Sequence, residues 1–248
     1  MERLRIALVS DIHGNLPALE AVVADFTRRG VDAVVNLGDC LSGPLLPRET
    51  AQYLMAQGWT QLAGNHERQI LETDGVRGAS DEFARSQMGA KELQWIASLR
   101  PALNWGDGVF LCHATPHSDL IYLLETVEPS GMRLASGAEV QTRLGAVSAP
   151  LIACGHSHIA RSVRSPGGSL IVNPGSVGLP GFLAQTPYPH VVQSGSPDAR
   201  YAIVERMDGN WSSSLIAVSY DHRSMAQLAQ ARGRVEWSRA LGTGYVAS

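Results

Sequence analysis

The sequence predicts an α/β fold built around parallel strands, and three features carry that expectation. Short apolar runs alternate with stretches of helical periodicity through the N-terminal part of the chain. The first three runs open into glycine-containing turns and are joined by helical stretches, a β-α-β-α-β order that means parallel strands with right-handed crossovers. With 44% hydrophobic and 17% charged residues, the composition is that of a globular chain.

The elements follow in order. Leu4 to Val9 reads as a buried strand leaving through Ser10-Asp11-Ile12-His13-Gly14-Asn15. Asn15 is placed to cap a helix over 16–29 whose apolar face is Leu19, Val22, Val23 and Phe26, and Gly30 is placed to end it. Ala33 to Leu37 is a second strand opening onto Gly38-Asp39. Pro47 starts a helix with Ala51, Leu54 and Met55 on its apolar face, stopped by Gly58. Trp59 to Ala63 is a third strand, ending at Gly64-Asn65-His66-Glu67. Residues 80–99 carry helical periodicity through Phe83, Met88, Leu93 and Ile96, with a break near Gly89.

Further on, Val109 to Cys112 is a strand leading into His113, and 132–144 reads as a helix. Leu151 to Cys154 leads into Gly155-His156-Ser157-His158, and Ser169 to Val172 into Asn173-Pro174-Gly175-Ser176. The Gly-, Pro- and Ser-rich stretch near 178–200 has no periodicity and is expected to be a long surface loop. Tyr201 to Glu205 and Ser213 to Val218 form an antiparallel pair turning at Asp208-Gly209-Asn210, and 221–248 is a helical tail. No repeat or linker divides the chain, so residues 1–248 are expected to form one domain.

Composition excludes several classes. A formal charge of −3 offers no nucleic-acid-binding surface, so stable nucleic-acid binding is not expected. No apolar run approaches the ~20 residues that span a bilayer, and the first run stops at Asp11 without a cleavage site. Three scattered cysteines, Cys40, Cys112 and Cys154, do not make a disulfide framework and are expected in the core. A cytoplasmic location and no membrane partner are the resulting expectations, with a homo-oligomer left open.

The chemistry lies in a recurrence. Five apolar runs end in potential metal ligands at the carboxyl ends of strands, where α/β sheets bind ligands: Asp11 with His13, Asp39, Asn65, His113, and His156 with His158. On an extended backbone, the two-residue spacing of Asp11/His13 and His156/His158 sends both side chains of each pair to one side. Asp, His and Asn together suit Mn²⁺, Fe or Zn²⁺ better than Ca²⁺ or Mg²⁺, and seven ligands suit two ions better than one.

Asp11-x-His13, Gly38-Asp39, Gly64-Asn65-His66-Glu67, His113 and Gly155-His156-x-His158, in this order, resemble the motif set of the calcineurin-like metallophosphoesterase family. Asn173-Pro174-Gly175-Ser176 resembles its small bacterial and archaeal phosphodiesterase branch. The resemblance implies a four-layer α-β-β-α sandwich of two mixed sheets and two divalent metal ions, manganese first, with iron, zinc or nickel as alternatives. By resemblance, Asp11, His13 and His158 take one metal, Asn65, His113 and His156 the other, and Asp39 bridges them. The implied reaction is hydrolysis of a phosphoester, a small phosphodiester or nucleotide, by a hydroxide bridging the ions, with His66 as acid. The alternatives are a phosphomonoesterase, an asymmetrical dinucleoside polyphosphate hydrolase, or a non-catalytic scaffold of the same fold. Gly38-Asp39-Cys40-Leu41-Ser42-Gly43-Pro44 lacks the second Asp and the Arg of the family's protein phosphatases, which argues against that activity.

Asp39, Asn65 and His66 are thus the expected catalytic residues, and Asn15, His66 and His117 the expected substrate contacts. Glu67 is expected to hold His66 or the backbone of its loop. Tyr188, His190 and Arg200, beside the long loop, are either substrate contacts or ordinary loop residues, and the five tryptophans are expected in the core or at interfaces.

Overall fold

A computed structural model describes residues 3–75, 77–106 and 108–246. The apolar runs of the N-terminal part form one sheet, in which β1 (Arg3–Val9) pairs in parallel with β2 (Ala33–Asn36), and β2 with β3 (Thr60–Gln61). Helices α1 (Leu16–Arg29) and α2 (Pro47–Met55) are the crossovers. The Asn15 side chain accepts from the Ala18 amide and Gly30 closes α1 in the left-handed conformation, as the sequence predicts. β13 (Ala199–Met207) and β14 (Asn210–Val218) add antiparallel strands on the other side of β1. Their two-residue turn, Asp208-Gly209, has φ of +50° and +81°, the primed geometry that follows the twist of a hairpin.

The second sheet runs β4 (Ala102–Trp105), β5 (Val109–Cys112), β8 (Leu151–Ala153), β10 (Leu170–Asn173) and β9 (Arg161–Arg164). Its three central strands are parallel and its two edges antiparallel. The two sheets face each other across a shared core: Ile6, Leu8, Val35 and Leu37 pack with Leu111, Leu151, Ala153 and Val172. Truncating one such leucine to alanine costs about 2–5 kcal/mol. The outer face of the first sheet is covered by α1, α2, α3 (Asn65–Leu71), α4 (Ala79–Gln87) and α5 (Ala90–Ser98). The outer face of the second packs Phe110, Ile152 and Ile171 against Val140 and Leu144 of α6 (Gly137–Leu144). This is the expected α-β-β-α sandwich. All strands that run into the glycine-rich turns deliver them to one end of it.

Several expectations change. The stretch near 178–200 is not a bare loop: β11 (Gly181–Ala184) and β12 (His190–Gln193) pair as a hairpin with Gly178 to Gly181 buried. Its strands are too short for alternation to stand out among glycines and prolines. Residues 132–134 belong to a second hairpin, β6 (Glu125–Glu128) with β7 (Gly131–Leu134), so the helix expected from 132 begins at Gly137 behind a Ser136 cap. The strand expected over 59–63 shrinks to Thr60–Gln61, with Leu62 bridging to Arg100. α3, β4 and β9 were not read from the sequence. Residues 80–99 are two helices, parted at Gly89, whose amide is capped by Glu92. The tail forms α7 (His222–Ala231) and α8 (Val235–Thr243), joined to the main body through Leu45 and Leu179. Cys40, Cys112 and Cys154 are buried and unpaired, as expected. Among the described residues no helix is long and apolar enough to cross a membrane.

Candidate metal centre

The loops after β1, β2, β3, β5, β8 and β10 are stitched together by their backbones. The amides of Asp11, His13 and Gly14 donate to the carbonyls of Gly38, Asp39 and Cys40, at 2.9, 3.1 and 2.8 Å. The Gly155 amide donates to His113, and the Gly178 amide to Asp11, at 2.7 and 3.0 Å. Two glycines are sterically required. A Cβ on Gly38 would meet the Gly64 nitrogen at 2.5 Å, and one on Gly64 would overlap the Asp39 carboxylate. The motif glycines therefore let two loops touch.

This stitching holds an unusual backbone. Six non-glycine residues among those described have positive φ, and five of them are Asp11, His13, Asp39, His156 and His158, at +55°, +52°, +54°, +68° and +57°. Each such left-handed residue costs about 1 kcal/mol or more and persists only where its surroundings dictate it. The extended-backbone reading of Asp11/His13 and His156/His158 is thus corrected. The members of each pair are kept in a common centre by left-handed turns, not by strand alternation.

Two groups of ligating atoms converge. Asp11, His13 and His158 form one; Asp39, His113 and His156 form the other, and within each group the ligating atoms lie within 4.8 Å of one another. The Asn65 side-chain oxygen joins the second group, 3.2 Å from His113 Nε2. The hydrogen bonds fix which nitrogens carry protons. Nδ1 of His13 lies 2.7 Å from the Ser42 carbonyl, Nδ1 of His158 2.7 Å from the Leu179 carbonyl, and Nδ1 of His113 2.9 Å from the Leu37 carbonyl. A carbonyl only accepts, so each Nδ1 is the donor, and the neutral ring presents a lone pair at Nε2. Yet Nε2 of His13 faces Nε2 of His158 at 3.1 Å, and Nε2 of His113 faces Asp39 Oδ2 at 3.2 Å. Lone pairs so aimed repel one another unless a cation lies between them. Asp11 Oδ1 is buried and has only His158 Nε2 nearby, at 3.4 Å and outside hydrogen-bond geometry, so it makes the same demand. The residues therefore fit two divalent cations with mixed nitrogen and oxygen ligands.

Electrostatics agrees. Burial and the neighbouring His158 drive His13 down to about 3, and burial with His113 drives His156 down to about 4. Burial also opposes charge on His113, but Asp39 outweighs it and lifts that imidazole to about 10. A proton at His113 occupies the place a metal would take.

His66 stands apart from the ligands. Its ring centroid is 5.5 Å from that of His13, and its Nδ1 lies 2.7 Å from Asp81 Oδ1 on α4. Burial lowers its pKa, yet Asp39 and the bond to Asp81 prevail and hold it near 9. Asp81, which the sequence did not single out, is the carboxylate that orients the His66 ring. Glu67 is wholly buried, and its carboxylate accepts the amides of Asp39, Cys40 and Gly64 at 2.9, 2.8 and 2.8 Å. It clamps the backbone of two ligand loops, the second of the two expected roles. Asn173 plays a similar part, donating to the Gly155 carbonyl and Ser157 Oγ at 2.8 and 3.1 Å, while Ser176 donates to the Asp11 carbonyl at 2.7 Å.

Other expected contacts are not at the centre. The Asn15 amide is spent on the Gly178 carbonyl and Tyr220 hydroxyl, and its oxygen on the α1 cap, so it is a buried strut. His117 is exposed and lines a separate pocket with Thr115, Pro116 and Asp119. Tyr188 is exposed, and His190 pairs with Tyr122, whose ring lies 5.0 Å from that of His156. Arg200 does not line the cleft. What does line it is a cavity of about 360 Å³ bounded by His13, Asp39, His66, His156 and His158 on one side. Its other side comprises Phe182 on β11 and Arg234, Glu236 and Trp237 at the start of α8. Nothing local in the sequence marks these last four; only the fold brings them in.

The sequence profile of the calcineurin-like phosphoesterase superfamily domain matches residues 4–193. An uncharacterized protein of Methanocaldococcus jannaschii is 25% identical over 263 residues, covering 96% of this chain and 96% of its own length. A solved metallophosphoesterase from Sphaerobacter thermophilus superposes with a TM-score of 0.76 at 24% identity, covering 98% of this chain and 100% of that one. A hypothetical protein from Pyrococcus horikoshii OT3 superposes with a TM-score of 0.75 at 14% identity, covering 99% of each chain. Both share the fold described above.

Proposed function

Since the chain belongs to the calcineurin-like phosphoesterase superfamily and is a metal-dependent phosphoesterase, we propose that it hydrolyses a small phosphodiester or nucleotide at the Asp39-centred cluster. Asp11, His13 and His158 would hold one divalent ion, and Asn65, His113 and His156 the other, with Asp39 between them; manganese is the first candidate. When bound, the ions would supply positive charge to the phosphoryl oxygens and lower the pKa of a water.

The chain's own residues do the rest. Carbonyls of Ser42, Leu179 and Leu37 pin three imidazoles by Nδ1, so their Nε2 atoms are aimed at the centre before any ligand arrives, with the proton at His113 to be displaced. Asp81 pins His66 by Nδ1, and its Nε2, without a protein partner among the described residues, is free to carry a proton to the leaving oxygen. The observation that carries the reading is the pair of facing imidazole lone pairs at 3.1 Å with the orphaned Asp11 oxygen beside them. The Asp81–His66 pair argues for hydrolysis over a scaffold role, since a scaffold has no use for an oriented acid.

The test is metal content of protein purified without chelator, together with Mn²⁺-dependent release of nitrophenol from bis(p-nitrophenyl) phosphate. About two metals per chain with turnover is expected; Asp39→Asn should abolish most of it, and His66→Ala should abolish most turnover of a diester with an alkoxide leaving group. Full turnover by either variant in its own assay would overturn the assignment. Comparison with p-nitrophenyl phosphate separates diester from monoester preference.

A further inference from the structure

The cavity beside the cluster is unlike the cluster itself. Leu179, Phe182 and Trp237 form much of its wall, and both aromatic rings lean on candidate ligands. The Trp237 and His13 ring centroids are 5.9 Å apart at 74°, and those of Phe182 and His158 are 4.7 Å apart at 70°. A group seated there is therefore within one ester linkage of a phosphate at the cluster. The indole is fixed from behind, because a Cβ on Gly43 (φ +153°) would come within 2.7 Å of Trp237 Cη2. Only glycine at that point of the loop after Asp39 lets the ring lie so close.

The polar features of the cavity are few and held. Arg234 Nε donates to Glu236 Oε1 at 2.6 Å, its Nη2 donates to Ser80 Oγ at 3.1 Å, and its guanidinium carbon sits 5.7 Å from the Trp237 ring centroid. Arg232 anchors the same helix pair to the Pro44 carbonyl at 2.8 Å and stacks over Phe83. These α8 residues lie beyond the span matched by the family profile, residues 4–193.

We propose that this cavity is a base slot: it takes the ring of a nucleoside phosphoester whose phosphate lies over the two ligand groups, a proposal that rests on the phosphoesterase reading. The cavity of about 360 Å³ spans both the cluster and the Phe182–Trp237 wall, near the lower end of the roughly 300–1,000 Å³ of small-molecule sites, so it suits one small nucleoside phosphoester and is too small for a peptide chain. Apolar and aromatic walls suit a ring that stacks. The Arg234–Glu236 pair offers a donor and an acceptor together, the complement of a base edge or a ribose hydroxyl.

The experiment is calorimetric titration of the Mn²⁺-loaded protein with two hydrolysis-resistant phosphonates, in which CH₂ replaces the ester oxygen of adenosine 5′-monophosphate and of ribose 5-phosphate. The adenosine compound is expected to bind at least about fivefold more tightly, the low end of what one stacked base contributes. Phe182→Leu and Trp237→Leu, each made separately, should bring that ratio toward one. Equal affinities in the unsubstituted protein, with turnover of bis(p-nitrophenyl) phosphate intact, would overturn the slot and leave the phosphoesterase reading standing. Base-dependent binding without any turnover would do the reverse.

Discussion

Glu67 offers the sharpest test of how the centre is held. Its side chain is wholly buried, and its two oxygens accept three amides: Asp39 and Gly64 on Oε2, Cys40 on Oε1. Glu67→Gln keeps the volume and replaces one acceptor by a donor. With the amide oxygen at the Oε2 position, two bonds survive and the NH₂ confronts the Cys40 amide. With the opposite rotamer, two amides lose their partner. The better rotamer leaves one buried donor unsatisfied and one donor facing another, a loss of about 2–3 kcal/mol. For a chain of this size that corresponds to about 4–12 °C in Tm.

The structure demands a second effect that a generic core defect would not produce. The three amides belong to the two loops that present Asp39 and Asn65, so loosening them should cost about 10–100-fold in manganese affinity. Calorimetry of the chelator-treated variant gives the first quantity and Mn²⁺ titration the second. A Tm within about 1 °C of the unsubstituted protein, together with an unchanged manganese Kd, would refute the clamp.

Other predictions follow from neighbouring features. Asp81→Asn should lower kcat about 100-fold for a diester with an alkoxide leaving group and far less for p-nitrophenolate, which departs without a proton; an equal loss on both would mean that Asp81 only shapes the fold. Chelation should lower Tm and Mn²⁺ restore it, because saturating one site at about 100 times its Kd stabilises by about 2.7 kcal/mol; a Tm indifferent to both would contradict the repelling lone pairs. Acid stability should track Asp25, which burial pushes up but which bonds from Tyr201, Arg29 and Arg28 bring down to about 2. A lowered carboxylate pKa stabilises above its unfolded value and loses that contribution as pH falls through the folded one, so the loss runs from about pH 4 to about pH 2. Because both arginines are largely exposed, the contribution is on the order of 1 kcal/mol, and Asp25→Asn should flatten that part of the urea-stability profile.

The ligands were legible in the sequence because their placement follows from topology. Parallel strands must all exit at one end, so polar residues at successive exits meet there whatever the loops do. The local route to that meeting was not legible. A two-residue spacing reads as strand alternation, whereas Asp11 and His13 converge through left-handed turns, which nothing in Asp-Ile-His announces. Asp81 was hidden for another reason: it lies in the first turn of an amphipathic helix, where acidic residues are ordinary, and only the packing of α3 on α4 brings it to His66. Phe182 on β11 and Trp237 on α8 belong to no motif, and they form the outer wall of the cavity. His117 misled for the converse reason, being close in sequence to His113 but turned away by the Thr115–Ser118 turn.

This division has a physical origin in what each group of residues must accomplish. The ligands at this centre are drawn from aspartate, asparagine and histidine, and most sit on loops that admit a positive φ, so the alphabet is small and leaves a trace. Five of the ligand residues adopt the left-handed region, where aspartate and histidine are less penalised than β-branched or bulky residues. The strain is sustained by backbone bonds between the ligand loops and by side chains outside the ligand set: the Glu67 clamp, Asn173 and Ser176. A centre held this way is preorganised before metal arrives, so binding energy need not be spent on ordering the loops. The cavity wall obeys no such rule. Any ring of suitable size can stack, and any helix that reaches the mouth can present it, so substrate choice is free to vary while the metal ligands stay fixed. The metal ligands were therefore readable from short motifs, and the wall of the cavity beside them only from the way α8 and β11 pack over that end of the sandwich.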